Sequence, residues 1–508
     1  MTTYYSGNTC KRHVFFCKMA TKILTKRRVC ALRNLRFTSH YPKLLNPDIE
    51  AEYAYTEEPK YPPILDTSYP ATKLREREEW RDSIKAMPTV QQKLHAIAEK
   101  GRQFCYVVNP DILYYNSLPA YQYATRTHLI NGLPDTYGQV DVEDAYARLK
   151  PHLVDAIATE LEAHESGGKF RRECSESTKQ KNIITSVLSV LLKGLAKDAP
   201  HLQSAQVDLT PRCDSFWEHG RYYPNERRLY KGKETITMNL QYMDKPDAQV
   251  RISEPLVPIV SLDDPLVCSK EVPDFPYHPS YMKFKWKYKM QTSLPGTWPL
   301  HNCNFPLLSI RQRDMLTNHH DSPFRTAEEV QDATNAAALL TGFGWLNGVA
   351  TQLGFTIYHD PTYPLVTQII NTDGQHWTFA VYQLNTLRFH KDYYESNPLR
   401  NLCWTSGNLR LFEAYENGEL KGVDDSVFKH LLRFMLCQPK VPEGVELRPY
   451  LGTDDRPEEE MLEQWSRWMK RYDCRFNLGE AVKKEVPLWV KIYKWHPDAP
   501  PSPHIKLK

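Results

Sequence analysis

Apolar positions follow three different rhythms along this chain, and the points where the rhythm changes predict its elements. Thr72 to Gln103 carries Leu74, Trp80, Ile84, Leu94, Ile97 and Ala98 at helical spacing, with Pro88 and Thr89 dividing two helices. Val142 to His164 predicts a further amphipathic helix. Its natural point of bending is Pro151, since a proline inside a helix removes one hydrogen bond and crowds the preceding turn. Lys181 to Ala196 is apolar almost all round, through Ile183, Ile184, Val187, Leu188, Val190, Leu191, Leu192 and Leu195, which predicts the buried member of the set. Residues 71–205 thus read as a helical region.

Between Val207 and Leu300 the pattern shortens to alternating runs broken by proline, as in Thr235 to Tyr242 and Gln249 to Ser253. Residues 206–300 read as a strand and loop region. Thr326 with Glu329 is a capping-box signature ahead of a long apolar stretch through Phe355. Val366 to Asn371 and Trp377 to Leu384 flank Thr372-Asp373-Gly374-Gln375 and predict a hairpin, and Asp424-Asp425-Ser426 caps a helix through Leu436. Residues 301–440 are therefore an α/β region, and 441–508 form a C-terminal extension with a short acidic helix near Glu458 to Lys470. The fold class expected is α+β: a helical N-terminal half, a mixed strand and loop middle, an α/β C-terminal part with a β-hairpin, and extended arms at both ends.

Charge changes this picture at the N-terminus. Up to Lys43 the chain has ten basic residues, and its first acidic residue is Asp48. Apolar residues interleave with the bases from Met19, as in an amphipathic mitochondrial presequence, and Arg36-Phe37-Thr38-Ser39 resembles a matrix-peptidase site. Residues 1–38 are read as that presequence, which points to the mitochondrial matrix; the alternative is a basic arm that binds nucleic acid directly. Loss of the bases through Arg36 would take the formal charge from +4 to about −5, so the remaining body has no general attraction for phosphate. Residues 39–70 form a Pro- and Tyr-rich segment around Tyr61-Pro62-Pro63-Ile64, read as an extended arm or a plain linker. The 11 cysteines are scattered and never form C-x-x-C, which speaks against a disulfide scaffold and a structural zinc site, and no apolar run is long enough for membrane insertion.

Candidate chemistry is sparse. Lys283-Phe284-Lys285-Trp286-Lys287-Tyr288-Lys289-Met290 alternates strictly, so a strand would place every lysine on one face and every large apolar residue on the other. Lys283, Lys285, Lys287 and Lys289 are candidates for an RNA backbone; the alternative is an edge strand whose lysines block unwanted pairing. Arg221, Arg227, Arg228, Lys231 and Lys233, interleaved with Tyr222, Tyr223 and Tyr230, form a second candidate patch. Gly342, Gly344 and Gly348 lie inside a predicted helix with no preceding strand, so they read as packing glycines and not as a dinucleotide loop. His319-His320-Asp321, His359-Asp360 and Asp373 with His376 supply residue types for a metal-dependent hydrolase or nuclease, which is the rival functional reading, although no metal-ligand spacing orders them. No cofactor motif is recognised.

Several blocks carry a resemblance. They are Lys60-Tyr61-Pro62-Pro63-Ile64, Gln249 to Ser253, Thr372-Asp373-Gly374, Tyr382 to Leu387, Asn397-Pro398, Asn401 to Trp404, and Lys421 to Asp425. In order and spacing, over roughly residues 60 to 440, they resemble a family of metazoan mitochondrial ribosomal proteins. That family was first catalogued as small-subunit protein thirty and as a programmed-cell-death protein, and was later reassigned to the large subunit. The resemblance implies a structural constituent without catalytic activity or cofactor, in contact with large-subunit rRNA and with neighbouring ribosomal proteins. Foremost among these is the related large-subunit protein thirty-seven, as a pseudo-symmetric partner. It also implies that Tyr382 to Leu387 is a packed strand end, and it leaves 441–508 outside the family's usual length.

Overall fold

Two mixed β-sheets hold one long helix between them, and each expectation is met or corrected within that arrangement. The computed structural model describes residues 65–452 except 112, 167–175, 224–234, 270, 297–301, 314–323 and 325, and also 456, 457, 459, 460 and 463. Residues 1–75 and 76–508 form two separate compact units, and all the strands named below belong to the second. The acidic helix expected near Glu458 to Lys470 falls largely outside the described residues.

Helices α1 (Tyr69–Ala86) and α2 (Val90–Ala98) are separated where expected, and Thr89 Oγ1 caps α2 by accepting from the Gln92 amide at 3.2 Å. Strand β1 (Glu99–Val108) begins at once, which corrects the helical reading over residues 99–103. Gly101 sits at a φ of +88°, closed to a right-handed helix, and the following Phe104-Cys105-Tyr106-Val107-Val108 favours a pleated surface. Then come α3 (Ser117–Thr125) and β2 (Thr127–Asn131). Helix α4 (Glu143–Ser166) runs on through Pro151. It lies antiparallel to α5 (Glu176–Leu195), with Ser186 Oγ donating to Glu160 Oε1 at 2.8 Å and Arg148 donating to the Gly194 carbonyl near the other end. Helix α5 is amphipathic and not buried all round. Ile183, Ile184, Val187, Leu188 and Leu191 face inward, while Lys181, Asn182, Thr185 and Lys193 are exposed.

The middle of the chain supplies β3 (Gln206–Leu209), β4 (Cys213–Tyr222), β5 (Ile236–Asp244), β6 (Ala248–Ile252) and β7 (Lys285–Thr292), matching the strand and loop reading. Next come β8 (Phe305–Gln312), the long helix α6 (Ala327–Gln352), β9 (Leu365–Thr372), β10 (His376–Leu384), β11 (Asn401–Arg410) and α7 (Asp425–Leu436). The expected capping box opens α6, with Thr326 Oγ1 accepting from the Glu329 amide and Glu329 Oε2 accepting from the Thr326 amide. Asp424 caps α7 by accepting from the Ser426 amide. The predicted hairpin is β9–β10, turned by Gly374 at a φ of +94° and by Asp373 Oδ1, which accepts from the Gln375 and His376 amides.

The larger sheet has seven strands in the order β2-β11-β10-β9-β8-β6-β3, and the smaller has four in the order β4-β5-β1-β7. Helix α6 is buried all round from Ala333 to its end. Phe343 meets Trp217 of the smaller sheet edge-on at 4.9 Å and Tyr382 of the larger at 6.4 Å. Its glycines pack as expected: a Cβ on Gly342 would come within 2.6 Å of Tyr382, and one on Gly348 within 3.2 Å of Pro295. On the far side of the larger sheet, Phe434 of α7 meets Phe379 at 5.3 Å, and Ile183 of α5 lies against Gly374. The fold is α+β, with one continuous core shared by both sheets. Among the described residues, no helix is long and apolar enough to cross a membrane.

Candidate nucleic-acid interface

The lysine-alternating segment begins with a reversal. His278 opens a single 3-10 turn, Pro279–Met282, its Nδ1 accepting from the Ser280 amide at 3.3 Å, and Lys283 closes the turn at a φ of +54°. Lys283 therefore stands outside the strand, its Nζ 5.2 Å from the centre of the Tyr114 ring. Phe284 is partly buried and stacks on Tyr121, with the ring planes 11° apart. The strict two-face alternation holds from Lys285 onward.

Strand β7 is an edge strand, paired antiparallel with β1. Its register sets Trp286 opposite Tyr106, Tyr288 opposite Phe104 and Met290 opposite Arg102 on one face. On the other face Lys285 lies opposite Val107, Lys287 opposite Cys105 and Lys289 opposite Gln103. The lysines are not equivalent. Lys285 and Lys287 are exposed, whereas Lys289 is half-buried, with Nζ 3.2 Å from Met243 Sδ. Burial and the neighbouring Lys287 lower the Lys289 pKa, against the pull of Asp214. Of the four lysine candidates, Lys289 is thus the least available to an external phosphate.

The aromatic face is open. Phe104 is 51% exposed, Trp286 50% and Tyr288 58%, while Trp217, Trp345 and Trp377 are all fully buried. Phe104 stacks on Trp286 with centroids 5.3 Å apart and planes 6° apart, and Tyr288 tilts against Phe104 at 5.0 Å. Tyr106, beneath Trp286, is itself buried and meets His278 edge-on. Reading residues 99–103 as helix hides this pair of strands. The run Phe104 to Val108, aromatic and β-branched, is the signal that would have disclosed Arg102 and Phe104 as neighbours of Trp286 and Tyr288.

The second candidate patch does not join the first. Arg221 lies on β4, at the opposite edge of the four-stranded sheet and three strand spacings from β7, or roughly 14 Å. It takes a left-handed φ of +64° at a break in the ladder, its guanidinium lying 4.9 Å from the Tyr394 ring and 3.2 Å from a Glu395 oxygen. Arg221 is thus engaged by its own chain. Arg227, Arg228, Lys231 and Lys233, in the connection between β4 and β5, lie outside the described residues.

The His and Asp candidates do structural work where they are described. Asp360 accepts from Thr386 Oγ1 at 2.7 Å and the Leu387 amide at 2.6 Å, and burial pushes its pKa up to about 6. His359 meets Tyr450 ring to ring, and Asp373 holds the β9–β10 turn, with its Oδ2 3.2 Å from His376 Nδ1. His319, His320 and Asp321 lie outside the described residues. Among the described residues, no group of three His, Cys, Asp or Glu could hold a metal ion.

Residues 27–439 match the family model described as "Mitochondrial 28S ribosomal protein S30 (PDCD9)". The match takes in both sheets, α6 and α7, and the chain belongs to this family of mitochondrial ribosomal proteins.

Proposed function

We propose that this member of a mitochondrial ribosomal protein family is a non-enzymatic structural constituent of the large ribosomal subunit in the matrix, supporting mitochondrial translation. The observation that carries the reading is the family match over residues 27–439. The family's description keeps a small-subunit designation; the large-subunit placement rests on the residue blocks between Lys60 and Asp425, which resemble the family as reassigned. In this reading residues 1–38 are removed on import, and residues 39–70 lie on a neighbouring protein. The related large-subunit protein thirty-seven is the expected partner. With a body near −5 in formal charge, rRNA is met through local cations, Lys283, Lys285 and Lys287 first and Arg227, Arg228, Lys231 and Lys233 second.

Sedimentation tests the placement. Mitochondrial ribosomes dissociated at low magnesium and run on a sucrose gradient should carry the chain with the large subunit. Co-sedimentation with the small subunit would overturn the large-subunit placement while leaving the ribosomal role, and a pool free of both subunits would overturn both. Replacing Lys283, Lys285 and Lys287 with Gln should lower incorporation and make it depend less steeply on salt than the parent's, by an amount set by the phosphates no longer neutralised. Incorporation unchanged at every salt concentration would return these lysines to the role of an edge-strand guard.

A further inference from the structure

We infer that the open face of the β1–β7 pair is a binding site for unpaired nucleotides, whose bases stack on Phe104, Trp286 and Tyr288. This takes the presence of RNA from the ribosomal reading above and adds the form of RNA and the groups that grip it. Three large rings on two paired strands, each about half exposed, touch one another in one contiguous patch, while Trp217, Trp345 and Trp377 are fully buried. A patch of that kind marks a surface kept open for a partner.

Geometry and charge select the partner. Four-stranded sheets with aromatics on neighbouring strands are a recurring platform for stacking two or three bases, and here the rings sit on adjacent strands of such a sheet. The planes of Phe104 and Trp286 are nearly parallel, so a base that stacks on one lies parallel to the other. From Arg102 to Val108 and from Trp286 to Met290, this face carries no acidic side chain, and Arg102 is exposed one step along from Phe104. Because β7 is an edge, the long stems of Lys285 and Lys287 can bring ammonium groups from the opposite face to the same rim. Cations along a rim with rings inside it suit a sugar-phosphate chain whose bases turn inward. A duplex keeps its bases stacked on one another and leaves the rings unused.

The test uses the full chain and a short unstructured RNA oligonucleotide, with binding followed by anisotropy and by quenching of tryptophan fluorescence. Removing all three rings (Phe104→Ala, Trp286→Ala, Tyr288→Ala) should weaken binding at least roughly ten-fold with little change in salt dependence. Trp286→Phe and Tyr288→Phe, which keep a ring, should bind within a few-fold of the parent, and the matching duplex should bind more weakly than the single strand. Equal affinity for the ring-free variant, or equal binding of duplex and single strand, would overturn the inference. Zero-length ultraviolet crosslinking on purified mitochondrial ribosomes supplies the second measurement. Peptides containing Phe104 or Trp286 should carry a nucleotide adduct; crosslinks from this face to protein alone would sink the RNA site, while the chain's co-sedimentation with a subunit would leave the ribosomal role standing.

Discussion

Strands β10 and β7 both carry large aromatic residues at alternate positions, Trp377 and Phe379 in one and Trp286 and Tyr288 in the other, yet they end in opposite surroundings. Every residue of β10 from Trp377 to Leu384 is buried, whereas β7 is exposed from Lys285 to Tyr288. Strand β10 lies between β9 and β11, with Phe343 of α6 against Tyr382 on one face and Phe434 of α7 against Phe379 on the other. Among the described residues, strand β7 has one neighbouring strand, and its Trp286 and Tyr288 remain half open. Periodicity decides which residues share a face. The layers packed on each face decide whether it meets core or solvent.

Arg311 joins the two regions and offers the largest test of how far they depend on each other. It sits on β8 in the larger sheet and makes ion pairs with Asp244, at the end of β5 in the smaller, and with Asp111 just beyond β1. Burial opposes its charge, but the two carboxylates prevail and raise its pKa. Arg311→Met would leave the fully buried Asp244 without its cation and should cost about 3–5 kcal/mol in urea unfolding. Adding Asp244→Asn should recover part of that loss. A loss well below this range in the single variant would mean that the smaller sheet is not anchored through this contact.

The next effect belongs to α6. A Cβ on Gly344 would lie 2.4 Å from the Tyr242 ring, so Gly344→Ala should overpack the contact between α6 and the smaller sheet. The expected cost is about 1–3 kcal/mol, read as a lower denaturation midpoint with the slope unchanged. A neutral outcome would mean that Tyr242 can move aside, and that α6 holds the smaller sheet less firmly than the geometry implies.

Much of this was legible in the chain because local signals and global packing agree. Thr326 with Glu329, Asp424 with Ser426, and Gly374 in the β9–β10 turn each name an element boundary through a hydrogen bond or a backbone conformation that few residue types can supply. Tyr382 to Leu387 likewise proves to be a packed strand end, held by the Asn401 side chain, which accepts from the Asn385 and Thr386 amides. Helix α5 misled for the opposite reason. Its apolar residues exceed one stripe, but Lys181, Asn182 and Thr185 remain exposed, and sequence alone does not show where a layer ends. The candidate interface was half legible. The alternation in β7 fixed which residues share a face, but its ring partners come from β1, more than 150 positions earlier in the chain, where helical spacing before Glu99 masked the change of rhythm.

The smallest expected effect is the most informative about the open face. Trp286 keeps half its surface in water and touches mainly Phe104 and Tyr106, so Trp286→Ala gives up one stacked and one tilted ring contact and leaves no sealed cavity. Aromatic pairs of this kind contribute about 0.5–1.5 kcal/mol each, and at a half-exposed site the total loss should stay near 1 kcal/mol. Trp345 is fully buried, with Nε1 donating to the Pro295 carbonyl at 3.0 Å, and Trp345→Ala should cost about 3–5 kcal/mol. The two unfolding curves, measured side by side on the full chain, set the contrast between the regions. If Trp286→Ala proved as costly as Trp345→Ala, the β1–β7 face would be core to this chain's own stability. A cost near 1 kcal/mol means that the fold scarcely needs the ring, and that its exposure is free to serve a partner.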